Sequence, residues 1–133
     1  MDLVCLPDGR LRLAVNEWPD RAENDSSRGK IVKGKWVFFA VAYDGMKDTD
    51  KVRWYFGDAK TPARLDKTTS YSRGATGTGS GELTIGNYNE TIQWYGLDRQ
   101  FRGRLRGIEI FGSRGTAGGA VDLSEIRKRQ KMK

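Results

Sequence analysis

The sequence predicts an all-β sandwich with one short helix at its C-terminal end. Three observations lead to this fold class. About seven short runs have the apolar or alternating pattern of β-strands. Turn-forming residues separate these runs, and only the last stretch has the pattern of a helix. With 133 residues, the chain is long enough for one domain, residues 1–133, and short for two.

The first predicted element is a hairpin at the start of the chain. Residues 3–6 and 11–15 are short apolar runs, and Pro7, Asp8 and Gly9 between them supply the turn. Residues 16–33 come next. Their polar composition around the run DSSRG predicts a surface loop.

The most hydrophobic stretch is residues 34–45, GKWVFFAVAYDG. Its odd-numbered and even-numbered positions are both apolar, so an extended strand here has two apolar faces. Such a strand is covered on both sides, as a strand in the middle of a layered sheet is. We therefore expect the fold to be built around it, and Asp44-Gly45 to end it with a turn.

A second strand is predicted at residues 52–56, where apolar Val52, Trp54 and Phe56 alternate with Arg53 and Tyr55. The charged connection before it is short, so the two strands should pair as a hairpin. Residues 62–67 are expected to form a further short strand that leads away from the pair.

The stretch 71–81, YSRGATGTGSG, has the close glycine spacing that a phosphate-binding loop requires. Such loops lead into a helix, and the nucleotide-binding version ends in GK[ST]. This stretch has neither feature, because a predicted strand follows it. We therefore interpret it as a flexible loop.

Two more strands are predicted, at residues 82–85 and 101–111, with a polar and aromatic loop between them. Gly103 and Gly107 interrupt the second of these strands, which indicates a bulge or a close approach of backbones.

The only predicted helix covers residues 122–130. Asp122 and Glu125 have the spacing of a capping pair, and Leu123 and Ile126 should dock on the body of the domain. The basic residues that follow suit the C-terminal end of a helix.

The composition excludes several classes of function. The chain has no histidine, so it cannot use a histidine general base, a Ser-His-Asp triad or a histidine metal site. Cys5 is the only cysteine, which excludes an internal disulfide and a thiolate metal cluster. No apolar run is long enough to span a membrane, and the first residues lack the pattern of a secretion signal.

The net charge of +7 has two local sources. One is the C-terminal stretch 124–133, and the other is a cluster of four arginines, Arg99, Arg102, Arg104 and Arg106. Such a cluster can bind anionic polymers such as nucleic acid or acidic polysaccharide. It can equally be a solvated face of the domain. The sequence has no recognised nucleic-acid-binding motif, so nucleic acid is not an expected partner.

Taken in order, the runs resemble the LamG-like jelly-roll domains of the concanavalin A-like lectin and glucanase superfamily. The matching pieces are LPDGRLRLAV, GKWVFFAVAYDG, VRWYFGD, GELTIGNYN and FRGRLRGIEIFGS followed by VDLSEIRKR. They cover roughly residues 3–129, and their order makes the set more specific than any piece alone. The resemblance implies an antiparallel jelly-roll β-sandwich with one short C-terminal helix.

The chain departs from the family pattern in two places. Full domains of this kind usually have further strands before the LPDGRL-like hairpin, so we expect this chain to be a fragment or a trimmed version of the fold. The closing signature lacks one residue between Ser124 and Glu125, and a GTAGGA insertion precedes it. Secreted and cell-surface settings are usual in the family, which implies an extracellular or cell-surface location.

The superfamily includes binding domains and glycoside hydrolases, and the hydrolases need two carboxylates that flank the scissile bond. In this sequence Glu82, Glu90 and Glu109 are isolated carboxylates on separate predicted elements. We therefore expect a protein that is not an enzyme.

Loop aromatics Tyr88, Trp94 and Tyr95 are the candidates for stacking on a sugar ring, because a flat apolar face suits the C–H face of a pyranose. The alternative is that Trp94 packs down and anchors its loop.

Calcium is the one cofactor for which the sequence offers ligands, since related domains often hold one such ion. The candidate ligands are oxygen-bearing side chains, namely Asp44, Asn87, Asn89 and Glu90. The alternative for the two asparagines is turn formation.

The leading hypothesis is a non-catalytic carbohydrate-binding module of an exported protein. The second is a structural or protein-interaction domain without a sugar ligand, which predicts an exposed apolar patch or edge strand. The third is a charge-driven binder of anionic polymers, which predicts an affinity that falls steeply with salt.

Overall fold

The computed structural model describes residues 1–15, 24–70, 74–77, 83–86, 101–113, 115–116 and 118–131. This part of the chain contains five strands and one helix: β1 (Asp2–Cys5), β2 (Leu11–Ala14), β3 (Phe38–Tyr43), β4 (Val52–Gly57), β5 (Arg64–Thr69) and α1 (Leu123–Lys131). The strands form two antiparallel sheets. The prediction of a β fold with one short C-terminal helix is confirmed at this level.

The chain forms two compact units. The first consists of Met1–Gly77 and Phe111–Lys133, and it contains every strand and helix named above. The second is Thr78–Ile110, of which residues 83–86 and 101–110 are described. That the whole chain forms a single domain stays a prediction.

Strands β1 and β2 form the predicted hairpin, with Leu3 opposite Leu13 in the register. The turn depends on Gly9, which has a φ of 75°. A Cβ at this position would also lie 2.5 Å from the carbonyl oxygen of Ile31, so a side chain is excluded both by conformation and by space.

The second sheet has the order β3-β4-β5. In the register of its first pair, Val41 lies opposite Trp54. The prediction that residues 34–45 form a strand is confirmed for the part Phe38–Tyr43. Trp36 lies before the strand and is 59% exposed.

The middle strand of this sheet is β4, not β3. Val52 and Trp54 are fully buried, because β4 has a hydrogen-bonded neighbour on each side, whereas β3 is mostly half-buried. The register between β4 and β5 shifts by one residue between Trp54 and Tyr55, which is a β-bulge.

Two hydrophobic clusters lie on opposite faces of this sheet. In the first, β2 packs on β4; its buried members are Leu11, Leu13, Val15, Val52 and Trp54. In the second, α1 packs on the sheet; its buried members are Ala42, Tyr55, Ala63 and Ile126. Strand β3 contacts both clusters, through Phe39, Val41 and Tyr43 on one face and Phe38, Ala40 and Ala42 on the other. The strand therefore packs on both faces, but it is mostly half-buried and lies at one end of the order β3-β4-β5, so the prediction of a central strand covered on both sides is confirmed only in part.

Helix α1 begins where the sequence predicts. The Oδ1 atom of Asp122 accepts the backbone N–H of Glu125 at 2.9 Å, which is the bond that caps the first turn. Ile126 is buried against the sheet and Leu123 packs beside it, as predicted. Glu125 forms an ion pair with Arg129, one turn further along, at 2.8 Å.

Two predicted strands are not formed in the described residues. Residues 83–85 and 101–111 are exposed and belong to no β-ladder. The chain bends at Gly103, and Gly107 has a φ of 59°, a left-handed conformation that interrupts an extended strand. The two glycines that indicated a bulge therefore break the run.

The predicted surface loop 16–33 also differs from the structure. Its described part contains three fully buried polar residues, Asn24, Asp25 and Ser26. Among the residues that the structure describes, no helix is long and apolar enough to cross a membrane.

Candidate ligand-binding sites

The predicted sugar-binding residues Tyr88, Trp94 and Tyr95 lie outside the described residues. The same is true of three predicted calcium ligands and of the first arginine in the cluster, namely Asn87, Asn89, Glu90 and Arg99. Their roles stay predictions. The described residues that border this segment are Gly86 and Phe101.

These two bordering residues are joined by a backbone hydrogen bond. The N–H of Phe101 donates to the carbonyl oxygen of Gly86 at 2.7 Å. The segment 87–100 therefore lies between two residues, Gly86 and Phe101, that are hydrogen-bonded to each other. Gly86 has a φ of 83°, a backbone conformation that favours glycine.

The remaining three arginines of the predicted cluster follow at once. Arg102, Arg104 and Arg106 are all exposed and occupy alternate positions of the chain. Between them lie Gly103 and Leu105, and Leu105 is 44% exposed. Over the whole stretch Thr78–Ile110, the sequence has four arginines and four carboxylates, so its formal net charge is zero.

Asp44, the fourth predicted calcium ligand, is a buried turn residue. Its Oδ1 accepts the backbone N–H of Met46 at 3.1 Å, and its own N–H donates to the carbonyl oxygen of Lys51 at 2.7 Å. This is an Asx-turn that shapes the connection from β3 to β4. Within the described ranges, no group of three or more acidic, histidine or cysteine side chains is arranged to hold a metal ion.

The turn after β3 is also held by residues further along the chain. The hydroxyl of Tyr43 donates to the carbonyl oxygen of Gly74. Burial, assisted by the negative charge of Asp44, raises the pKa of the Tyr43 phenol, so the hydroxyl keeps its proton and its role as donor. Gly45 is close to the same segment, since a Cβ there would lie 2.8 Å from the carbonyl carbon of Gly74.

Asp25 is a buried carboxylate with several partners, and its side chain is only 2% exposed. Arg12 donates to its carboxylate through Nε at 2.7 Å and through Nη2 at 2.9 Å. Arg10 donates to the same carboxylate through Nη1 at 2.7 Å and also pairs with Asp8 at 2.8 Å. Both arginines are on or next to β2, and their guanidinium groups keep some contact with water.

The neighbours of Asp25 extend this polar cluster. Residues 24–26 run antiparallel beside β2: the N–H of Ser26 donates to the Leu11 carbonyl at 2.9 Å. The side-chain amide of Asn24 donates to the Leu13 carbonyl at 2.8 Å, and Thr69 donates to its oxygen. The cluster therefore connects β2 to β5 and is satisfied by its own partners, as buried polar groups must be.

A second set of polar contacts links residues 27–30, which follow the Asp25 cluster, to β5. The Nζ of Lys30 lies 2.6 Å from Oδ1 of Asp66, and the N–H of Ser27 donates to Oδ2 of Asp66 at 2.9 Å. Sequence reasoning missed this region because asparagine, aspartate and serine together are typical of an exposed turn. The sequence did contain one signal for this cluster, the two arginines at alternate positions 10 and 12. If the strand there is buried, the charges of these arginines require a nearby carboxylate.

The geometry of the described residues thus separates two kinds of charged region. The Asp25 cluster has protein partners for its charges and stabilises the fold. Arg102, Arg104 and Arg106 are exposed on a segment that belongs to neither sheet. Compared with known proteins, the chain matches no family model, no curated protein and no solved structure.

Proposed function

We propose that the chain is a non-catalytic, LamG-like binding domain of the concanavalin A-like superfamily, and that its ligand is a carbohydrate. The fold proposed with it is a jelly-roll β-sandwich. The proposal is supported by the order of sequence motifs and by the part of the fold in which those motifs have the expected form.

Four of the matching pieces have structures that agree with the resemblance. LPDGRLRLAV is a hairpin, and the aromatic strand after it ends at Asp44 in a turn. VRWYFGD pairs antiparallel with that strand and ends at Gly57. VDLSEIRKR forms a helix that buries Ile126 against the sheet. These agreements support a common fold and say nothing by themselves about a ligand.

The hydrogen bond between Phe101 and Gly86 is the main structural reason for proposing a sugar site in the segment 87–100. It brings together the two ends of the segment 87–100, whose sequence is NYNETIQWYGLDRQ. Binding residues are found more often on connecting segments than within strands and helices. This segment is rich in aromatic and amide side chains, which are the groups that bind sugars by stacking and by hydrogen bonds.

In the proposed site, Tyr88, Trp94 and Tyr95 provide flat faces for sugar rings. Asn87, Asn89 and Glu90 provide polar contacts to hydroxyl groups or oxygen ligands for one calcium ion. Asp44 is less suited to a metal, because its Oδ1 already accepts the N–H of Met46.

A binding role is preferred to catalysis because of the residues that the whole sequence offers. It has no histidine, and its glutamates at 82, 90 and 109 are far apart in the chain. A glycoside hydrolase needs two carboxyl groups about 5–10 Å apart across the bond. We propose an extracellular or cell-surface location on the basis of the family resemblance alone.

A second candidate function is protein interaction without a sugar ligand. It is favoured by exposed apolar side chains in the second unit: Leu83 is 72% exposed, Ile110 is 69% exposed and Ile85 is 51% exposed. Apolar residues grouped in short segments outside a sheet are typical of surfaces that another chain covers. This candidate predicts a folded protein that binds no glycan.

The test is a glycan array probed with the purified chain, once with calcium and once with a chelator. Binding to defined glycans that Trp94→Ala removes would support the proposal, and loss with chelator would add the calcium site. The exposed Trp36→Ala serves as the control, since it removes an indole elsewhere. Failure of a folded sample to bind any glycan would overturn the proposal in favour of protein interaction.

A further inference from the structure

Two exposed stretches at one end of the three-stranded sheet carry a further inference. We propose that residues 32–36 and 58–65 together form a docking surface for a membrane that contains anionic lipids. The inference does not depend on a sugar ligand, because both stretches belong to the first unit and neither is part of the segment 87–100.

The register of the sheet places the two stretches at the same end. Phe38 at the start of β3 lies opposite Gly57 at the end of β4, and β5 starts opposite Phe56. The shorter stretch ends two positions before β3 begins, and the longer one contains the turn from β4 to β5. Neighbouring strands are about 4.8 Å apart, so the starts of β3 and β5 are separated by only about 10 Å.

Hydrogen bonds fix the backbone of both stretches. The N–H of Lys35 donates to the carbonyl oxygen of Val32 at 3.1 Å, and Gly34 between them has a φ of 79°, so these residues form a tight turn. In the longer stretch, Oδ1 of Asp58 accepts two backbone N–H groups of its own turn, both at 2.8 Å. Each turn therefore presents its side chains from a defined backbone.

Both stretches expose apolar side chains. Every residue in them is exposed except Ala63. Trp36 and Leu65 are more than half exposed, and Val32 is 41% exposed. Apolar side chains grouped in this way mark a surface that another body covers. A bilayer suits this group, because a tryptophan ring is stable at the membrane–water interface, where its apolar face and its polar N–H are both accommodated.

The charges of the two stretches favour an anionic surface. Four side chains are cationic and one is acidic, namely Lys33, Lys35, Lys60 and Arg64 against Asp58, which gives a net charge of +3. None of the four cations forms an ion pair with a carboxylate in the described part of the chain. Lys30, just before the first stretch, is not counted because it pairs with Asp66 at 2.6 Å. Anionic headgroups attract such a cluster of unpaired cations.

A membrane fits this surface better than a single-stranded nucleic acid does. Proteins that bind single strands combine basic residues with several aromatic rings on which successive bases stack. Trp36 is the one exposed aromatic ring in the two stretches, and the other exposed apolar side chains, Val32 and Leu65, are aliphatic. Aliphatic groups gain free energy by leaving water for the bilayer, and they offer no ring to a base.

The experiment measures sedimentation of the full chain with lipid vesicles. One set of vesicles is phosphatidylcholine alone, and the other contains equal parts of phosphatidylcholine and phosphatidylserine. Wild-type protein should bind the anionic vesicles more tightly, and added salt should weaken this preference. The double variant Lys33→Gln and Lys35→Gln should bind anionic vesicles about 25-fold more weakly, because each basic residue near the membrane contributes about fivefold.

Matched controls come from the opposite end of the sheet, in the turn between β3 and β4. Lys47→Gln with Lys51→Gln removes the same amount of charge and should keep most of the binding. Trp36→Ala should weaken binding even at high salt, because the loss is apolar and is not screened. Met46→Ala, which removes a side chain that is 67% exposed, should leave the binding unchanged.

Four outcomes would overturn the inference. These are no binding to anionic vesicles, equal losses in the two lysine variants, an unchanged affinity in Trp36→Ala, and tighter binding of poly(dT) than of vesicles through the same residues. The last of these would assign the surface to single-stranded nucleic acid. Thermal unfolding of each variant shows that the chain remains folded. Vesicle binding and glycan binding through Trp94 are separate measurements, so failure of one leaves the other in place.

Discussion

Gln130 and Gly57 lie so close that a Cβ on residue 57 would be 2.8 Å from Nε2 of Gln130. The glutamine amide donates to the carbonyl oxygens of Asp58 and Thr61, both at 2.8 Å, and accepts the N–H of Ala63 at 2.6 Å. One side chain of α1 therefore satisfies three backbone groups of the turn after β4. The glycine leaves the space that this arrangement needs.

Gly57→Ala should destabilise the protein by about 1–3 kcal/mol, the usual cost of forcing an extra group into a filled space. Besides Gln130, the new methyl would approach the Thr61 oxygen to 2.7 Å and the Ala63 nitrogen to 2.9 Å. Urea unfolding measures the change. Gly112→Ala is the control, because nothing lies within 4 Å of a Cβ there. Equal stability of the two variants would contradict the packing argument.

Gln130→Ala should cost about 1–3 kcal/mol, because the Ala63 N–H and the Asp58 carbonyl lose the glutamine amide as partner, whereas the Thr61 carbonyl keeps the N–H of Asp58. The neighbouring Lys131→Ala removes an exposed side chain from the same helix and should change the free energy of unfolding by less than about 0.5 kcal/mol. In a double variant with Gly57→Ala, the two costs should not add, since the two residues share one space. Additive costs would show that the contact is unimportant.

Asp25→Ala should be among the most damaging single changes in the described part of the chain. It would leave Arg10 and Arg12 without the carboxylate that accepts three of their N–H bonds. Removing one partner of a buried pair costs about 3–5 kcal/mol, and the partial exposure of both arginines places the expected loss at the lower end.

Asp8→Ala is the matched comparison, because Asp8 pairs with Arg10 at an exposed position where ion pairs contribute little. The denaturation midpoint should fall far more for Asp25→Ala than for Asp8→Ala. Similar midpoints for the two variants would mean that the buried carboxylate is not the centre of the cluster.

Acid should weaken the C-terminal helix and the turn it contacts. Hydrogen bonds from the Glu125 N–H and the Ser124 hydroxyl lower the pKa of Asp122 below its usual 3.8. Bonds from the N–H groups of Lys60 and Thr61 lower the pKa of Asp58 in the same way. Because each pKa is lower in the folded protein than in the unfolded protein, the stabilisation by the charged carboxylate is complete above the unfolded-state pKa. It is lost as the pH falls through the folded-state pKa.

The measurement is the denaturation midpoint as a function of pH from neutral to below 3.8. The double variant Asp58→Asn and Asp122→Asn keeps an acceptor oxygen at each position but cannot ionise, so its midpoint should fall less on acidification. Parallel curves for wild type and variant would refute the assignment.

Trp94→Ala should reduce the affinity for a bound neutral glycan by about tenfold, because losing one stacked ring costs on the order of 1–1.5 kcal/mol. Trp94→Phe should retain part of the affinity, since it keeps a flat apolar face. Titration of the best array glycan measures both. A fully active Trp94→Ala protein would show that this indole is not in the site.

Local signals in the sequence were sufficient for most of the described fold. The Asp8-Gly9 turn, the alternation from Val52 to Phe56 and the capping position of Asp122 each act over a few residues, so the hairpins and the helix could be predicted. The position of β4 in the middle of the sheet could not, because it depends on pairing with β5, which the strand pattern does not encode.

The other differences between prediction and structure also depend on contacts between residues that are far apart in the sequence. Asn24, Asp25 and Ser26 are buried only because β2 provides arginines and backbone groups from a distant part of the sequence. Residues 101–111 have the composition of a strand, but Gly107 adopts a left-handed conformation and no described strand pairs with them. Of the candidate site, Arg102, Arg104 and Arg106 are exposed but their role stays a prediction, and the aromatic residues lie outside the described part.

The hydrogen bond between Phe101 and Gly86 also has a consequence for engineering. When two anchor points are held together, the sequence between them can be exchanged or lengthened at a small entropic cost, roughly 0.6 kcal/mol for each doubling of length. The positions from 87 to 100 are thus a natural place for a randomised library. Variants selected from it would acquire new specificities while the sheets, the helix and their two cores stay constant.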